Sequence, residues 1–206
     1  MLGRISLIIG LTGPMASGKN LASKILEKTG CVSVDADVLA HQAIEKAKDK
    51  ILLTFEKEAT EKNISVLNED GSINRRELAK IVFSSKENLK KQEAIIHPIV
   101  NEMMEDFIQN NSDKTVILNA TVLYKTPIIN KCDAIIFITS PWLIRFFRAK
   151  KRDKIKNIQI FKRFFAQFNI FAKYKNLDAD IYKVRNFISE QKLEQKLLYV
   201  LKKIYS

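Results

Sequence analysis

Residues 13–20 read Gly-Pro-Met-Ala-Ser-Gly-Lys-Asn, a glycine-lysine loop whose residue types suit the cradling of a polyphosphate. Gly13 and Gly18 let the backbone turn tightly and approach phosphate oxygens. The N–H groups that open the following helix point inward at the anion, and Lys19 reaches the terminal phosphates. A nucleotide triphosphate is therefore the leading ligand. The residue after such a lysine ordinarily gives a hydroxyl oxygen to magnesium. Here it is Asn20, whose side-chain carbonyl is a hard oxygen able to reach the metal directly or through water, on a longer arm. Asn20 is the candidate Mg2+ ligand, with weakened metal binding expected.

Asp35 and Asp37 lie two apart, so on an extended chain they point to the same side. Phosphoryl transfer to a hydroxyl needs one carboxylate to orient and deprotonate the acceptor, and a second oxygen donor for magnesium or its waters. An aspartate at a strand-to-helix junction also serves simply as a helix cap, and spacing does not choose between the two. Arg75-Arg76 either grip phosphate or sit in solvent at a helix start. His97, before Pro98, is either a ligand or a packed residue at a helix end. Arg148 and Arg152, four apart, share a helix face. They can close over a transferring phosphoryl group, although a solvated face is the default for such a charge run. Phe161, Phe164, Phe165, Phe168 and Phe171 interleave with cations in a manner that could stack single-stranded nucleic acid. Their three-four spacing favours packing in a core or lid.

The elements that must position these residues read as alternating strands and helices. Ile5–Gly10 is the first strand and Lys19–Lys28 the helix after the loop, closed by Gly30. Cys31–Val34 is a second strand ending at Asp35-Ala36-Asp37. Helical patterns then run to about Asn110, broken by the turn cluster Asn68–Ser72. Thr115–Leu118, Ala134–Ile138 and Asp180–Val184 are further strands. The pattern predicts a doubly wound α/β fold with helices on both faces of a parallel sheet and chemistry at the strand carboxyl ends.

A 206-residue chain can bury a full core. Cys31 and Cys132 have neither disulfide-framework nor zinc spacing and read as small buried residues. No segment is long enough for a membrane span, and Met1–Gly10 lacks a leader pattern, so a reducing cytoplasm is expected. The net charge of +12 suits small polyphosphates, nucleic acid or an anionic surface without choosing among them. The basic tail, Lys192–Lys203, keeps Leu193, Leu197, Leu198, Leu201 and Ile204 at helical spacing, with its cations in solvent.

In order along the chain stand Leu11-Thr12-Gly13 through Ser17-Gly18-Lys19, Val34-Asp35-Ala36-Asp37, Asp70-Gly71-Ser72-Ile73-Asn74-Arg75-Arg76-Glu77-Leu78 and Ile96-His97-Pro98-Ile99-Val100. Ser140-Pro141, Arg148 with Arg152-Asp153, Gln167, and Ala179-Asp180 with Asn186 follow. Over nearly its whole length the chain resembles the dephospho-CoA kinases, of the nucleoside-monophosphate-kinase-like branch of phosphate-loop proteins. The resemblance implies a three-layer P-loop NTPase core with a five-stranded parallel sheet. It would be built from residues 1–40, 111–140 and 176–206, with a mainly helical acceptor-binding region at 41–110 and a basic lid at 141–175. It implies ATP-dependent phosphorylation of the ribose 3'-hydroxyl of dephospho-CoA, giving CoA and ADP, with ATP, Mg2+ and dephospho-CoA as the small-molecule partners. No nucleic acid or membrane partner is expected, and oligomeric state is left open. In this family Asp37 would be the catalytic carboxylate, acting with Lys19 and Arg148. ATP would be held by Gly13, Ala16, Ser17, Gly18, Lys19, Asn20, Leu21, Arg148 and Arg152. The acceptor would be held by Asp35, Asp37, Arg75, Arg76 and His97. The chain departs from the family at Asn20. It departs again at Ala120–Tyr124, where Pro-Leu-Leu-x-Glu is usual, and at Arg185-Asn186-Phe187, where Asn-Asn-Gly is usual. A kinase of another acceptor, such as a nucleoside monophosphate, and a catalytically impaired nucleotide- or nucleic-acid-binding relative are the alternatives.

Overall fold

Apolar runs bounded by turn residues become the strands of this chain. A computed structural model describes residues 6–153, 156–175, 177–187 and 189–206. The expected strand start Ile5, the cation Lys154 and the segment limit Asn176 lie outside the described residues. Strands β1 (Ile8–Thr12), β2 (Val32–Asp35), β3 (Val116–Asn119), β4 (Ala134–Thr139) and β5 (Asp180–Arg185) pair in parallel in the order β2-β3-β1-β4-β5. Each strand ends at least one residue beyond its predicted carboxyl end, and β1, β2 and β3 also begin later than predicted, at Ile8, Val32 and Val116. A strand of a doubly covered parallel sheet lacks the apolar-polar alternation that would mark its ends.

The helices are α1 (Lys19–Glu27), α2 (Ala36–Lys46), α3 (Lys48–Glu61), α4 (Arg75–Val82), α5 (Lys86–Gln109), α6 (Trp142–Asp153), α7 (Asn157–Ala166) and α8 (Glu190–Ile204). The chain divides into two compact units, Met1–Asp35 with Glu105–Ser206, and Ala36–Met104. In the first, Ile9, Leu11, Ile117, Ile136 and Ile138 of the sheet pack with Ala22, Ile25 and Leu26 of α1 and with Leu193, Leu197 and Leu201 of α8. The tail therefore buries one stripe, while Leu198, Lys192, Lys202 and Lys203 stay exposed. In the second unit, Ile51, Phe55, Leu78, Ile81, Ile96 and Met104 are among the buried residues. Its turn closes through the Leu67–Ile73 bridge. Asp70 Oδ1 accepts from the N–H and the hydroxyl of Ser72 at 2.9 and 2.6 Å, which holds its carboxyl below the usual range. Asn74 then caps α4 by accepting from the Glu77 N–H at 3.2 Å, which fixes where Arg75 and Arg76 emerge.

Cys31 and Cys132 are free and buried. Cys132 lies under β1, where a side chain added at Gly10 would meet Ile135, Leu123 and the Cys132 sulfur. Burial, reinforced by Asp133, pushes the Cys132 thiol from the ordinary 9.0 up to about 12. A raised folded pKa gives stability that is complete below pH 9.0 and lost as pH climbs from there toward about 12. Urea-unfolding midpoints of the wild type are expected to fall between about pH 9 and 10.5, and those of Cys132→Ala to fall less steeply. Parallel slopes would rule out this thiol as the source.

Candidate active site

The loop between β1 and α1 holds a backbone that few residues adopt. Gly13 has φ +145° and Gly18 φ +97°, and even Ala16 sits at +60°. A Cβ at Gly13 would strike the Ile138 carbonyl, and one at Gly18 the amide nitrogen of Asn186. Gly18, in left-handed conformation, is the residue immediately before α1, so the first N–H groups of that helix open toward the loop. Lys19 folds back and donates from Nζ to the Gly13 carbonyl at 3.1 Å. Ser17, within the loop, is fully buried.

Residues far along the chain hold this loop in place. Gln167 Oε1 accepts from the Met15 N–H at 2.6 Å, and Arg145 Nε donates to the Met15 carbonyl at 2.9 Å. Asn186 Nδ2 and Arg148 Nη1 donate to the Ser17 carbonyl at 2.9 and 3.4 Å. The Arg145 guanidinium lies 4.3 Å from the centre of the Phe164 ring, and its burial pulls its pKa down. It is therefore a structural cation between loop and α7. Arg148 and Arg152, one turn apart on α6, line a cleft of about 560 Å³ with Ala16, Gly18, Lys19, Asn20, Leu21 and Lys151. Four cations thus converge on a loop of inward N–H groups, the arrangement that binds a polyphosphate. Lys151 was not singled out from the sequence, since only the placement of α6 against the loop shows that it lines the same cleft as Arg148 and Arg152.

Asp35 ends β2, and Asn119 ends β3 between Leu11 of β1 and Asp35 in the strand register. The buried Asn119 donates from Nδ2 to Asp35 Oδ2 at 3.2 Å and to Asn20 Oδ1 at 3.1 Å. Asn20, the residue expected to hold magnesium, and Asp35, expected on the acceptor side, thus share one partner. Sequence reasoning missed Asn119. Its signal was a polar residue ending an otherwise apolar run.

Within the second unit, Arg75 and Arg76 line a cavity of about 760 Å³ with His41, Gln42, Glu45, Asn68, Ser72 and Asn74. His41 and Gln42 are additions to the expected set. Two expectations are corrected here. Asp37 does not share an extended strand with Asp35, because α2 begins at Ala36. Asp37 lies in the first turn, where a carboxylate favours the helix amino end, four residues before His41. His97 is not at a helix end either. α5 continues through Pro98 to Gln109, held by the buried Ile95, Ile96, Val100 and Met104, and His97 is absent from the lining of the Arg75–Arg76 cavity.

The aromatic stripe meets its predicted packing in part: Phe164 packs beside Met15, Ala149 and Ile160, and Phe161 and Phe171 lie against Phe146 and Phe137 at 5.3 and 4.9 Å. Phe165 and Phe168 are 76% and 82% exposed, and Phe161 is exposed too, whereas Phe164 and Phe171 are half-buried. Helical spacing aligned the rings, but the face they form rims an open cleft of about 490 Å³ with Trp142, Arg145 and Lys183. In the altered segment after β3, Tyr124 packs edge-on against Tyr174 at 5.5 Å. The buried Tyr174 phenol, pushed up to about 12 by burial, lies 2.7 Å from the Thr12 hydroxyl and secures the end of β1 beneath the loop.

Comparison with known proteins agrees with this geometry. The dephospho-CoA kinase family model matches residues 7–186. A dephospho-CoA kinase of Treponema denticola is 40% identical over 201 residues, 96% of this chain and 90% of the relative. One from Treponema pallidum is 30% identical over 182 residues, 87% of this chain and 86% of the relative. The crystal structure of TT1252 from Thermus thermophilus superposes with a TM-score of 0.79 at 26% identity, over 97% of this chain and 98% of that one. A five-stranded parallel sheet in P-loop order, a glycine-lysine loop under basic side chains, and a match across nearly the whole length place this chain in the dephospho-CoA kinase family.

Proposed function

We propose that this chain transfers the γ-phosphoryl group of ATP to the ribose 3'-hydroxyl of dephospho-CoA, forming CoA and ADP, the final step of CoA biosynthesis. The observation that carries the donor half is the cleft where Lys19, Arg148, Lys151 and Arg152 meet the loop. Little covalent chemistry is asked of the protein in phosphoryl transfer; positioning and neutralisation of spreading charge dominate. The N–H groups of residues 16–21 and the Lys19 ammonium hold the β- and γ-phosphates. Arg148 and Arg152 add guanidinium forks to the equatorial oxygens. Asp37 orients the acceptor hydroxyl and takes its proton as the new O–P bond forms and the bond to the β-phosphate oxygen breaks.

The donor set around Asn119 fits a hard divalent cation, because Asn20 Oδ1 and Asp35 Oδ2 both present oxygen. Magnesium bound with the nucleotide would be held by these two groups, directly or through water, and would supply neutralising charge on the β- and γ-phosphates. Ala36–Met104 is the acceptor-binding unit in this reading. Arg75, Arg76 and His41 grip the acceptor's pyrophosphate, and residues 141–175 form the lid. Two free, buried cysteines suit a reducing cytoplasm as the place of work.

The test is a turnover assay with ATP, magnesium and dephospho-CoA beside AMP and other acceptors. ATP consumption is expected with dephospho-CoA alone, and equal turnover of AMP would replace the acceptor named here. In the same assay Arg75→Ala, Arg76→Ala and His41→Ala are each expected to raise the dephospho-CoA KM about 5- to 20-fold, the loss of one charge-assisted contact, at an unchanged KM for ATP. A rise confined to ATP would move that residue to the donor side.

A further inference from the structure

Asn119 is buried between Asp35 and Asn20, and its contacts fix the orientation of two amides without ambiguity. An ionised carboxylate only accepts hydrogen bonds, so the Asn119 atom facing Asp35 is the nitrogen. That nitrogen only donates, so the Asn20 atom facing it is the oxygen. The Asn20 amide nitrogen and the second lone pair of its oxygen are left for whatever occupies the cleft that Asn20 lines.

In phosphate-loop enzymes generally, magnesium is held by a Ser or Thr after the loop lysine and an Asp at the end of a neighbouring strand. This chain has Asn20 at the first of those places. Asn119, at the carboxyl end of the strand beside β1 and bonded to residue 20, stands at the second. A hydroxyl would donate toward an aspartate, whereas here the strand residue donates toward the loop residue. The exchange reverses the hydrogen bond and removes one negative charge. An Asp at 119 would set a second carboxylate against that of Asp35 with no donor between the two, and would turn the Asn20 amide so that its nitrogen, not its oxygen, faces residue 119.

We infer that Asn119 is a positioning residue that works as a unit with Asn20, an amide pair replacing the hydroxyl-carboxylate pair, and that its donor nitrogen sets how Asn20 meets the nucleotide and its metal. This rests on the reading that the cleft takes nucleotide phosphates. Its consequence is coupling. Asn119→Asp is expected to weaken Mg-ADP binding, measured by calorimetry, at least about 10-fold. Asn20→Ser with Asn119→Asp is expected to recover at least half of that loss on a logarithmic scale and to bind at lower magnesium than wild type. Effects that add within about twofold would overturn the unit.

Because Asn119 is buried and its variants can fail to fold, the exposed Asn20 supplies a second test that needs no nucleotide. Asn20→Ala removes the acceptor 3.1 Å from Asn119 Nδ2. The Asn119 side-chain amide resonances are expected to shift in this variant, and in wild type they should move again on adding Mg-ADP. Resonances of Asn119 indifferent to Asn20→Ala would overturn the inference. Failure of wild type to bind ADP at all would instead overturn the nucleotide reading and leave the amide result to stand or fall alone.

Discussion

Asp37→Asn is expected to lower kcat about 10²- to 10⁴-fold, the range associated with loss of a positioned general base, with nucleotide affinity unchanged. The substitution keeps the shape of the side chain and one accepting oxygen, so the acceptor hydroxyl still finds a partner and the dephospho-CoA KM should stay within a few-fold. What is lost is the capacity to receive the proton as the O–P bond forms. Stability is a minor contributor. Asp37 is exposed in the first turn of α2, where a carboxylate's interaction with the helix amino end is worth about 0.3–1 kcal/mol. A kcat loss with a thermal midpoint lowered by no more than about 4 °C separates chemistry from folding. A variant turning over within about fivefold of wild type would remove Asp37 as base and turn attention to Asp35, the other carboxylate of the motif.

The parts of this molecule legible from sequence share one property, that a local pattern determines them. Apolar runs between turn signals yielded all five strands and their parallel arrangement, and glycines followed by lysine yielded the loop, because a left-handed backbone at Gly13 and Gly18 admits few residue types. The Asp70–Ser72 turn and the Asn74 cap are likewise written in adjacent residues. What escaped depends on partners distant in the chain. Asn119 acquires meaning only because β3 lies between β1 and β2, which puts it within reach of residue 20, ninety-nine positions earlier. Arg145 looked like one more cation of a basic run, yet it is spent on the Met15 carbonyl and the Phe164 ring. Asp37 and His97 were misplaced for a different reason: α2 already begins at Ala36, and Pro98 read as a helix end although the helical pattern read to about Asn110 is met by α5, which packing carries through Pro98 to Gln109 at the cost of one backbone bond. The aromatic face shows the limit of periodicity itself, which says which side chains share a face and not what that face meets.

Lys19→Ala is expected to lower kcat about 10²- to 10³-fold, as removal of one preorganised donor to developing charge does in comparable sites, and to weaken ATP binding much less. The asymmetry follows from the composition of the cleft. Arg148, Lys151 and Arg152 remain to attract the polyphosphate, and the loop keeps its shape through the Met15 and Ser17 contacts with Gln167, Arg145 and Asn186, none of which involves Lys19. Ground-state attraction is therefore redundant. The ammonium that the Gly13 carbonyl holds at 3.1 Å is not, because in the proposed reaction it is the group that meets the charge accumulating on the β–γ bridging oxygen as the bond breaks. Lys19→Arg should fail to restore the rate, since a planar fork of longer reach cannot take the place of a compact ammonium folded back on its own loop. A rise in the ATP KM at constant kcat would mean that Lys19 stabilises substrate and transition state equally, and would shift the burden of charge stabilisation to the arginines of α6.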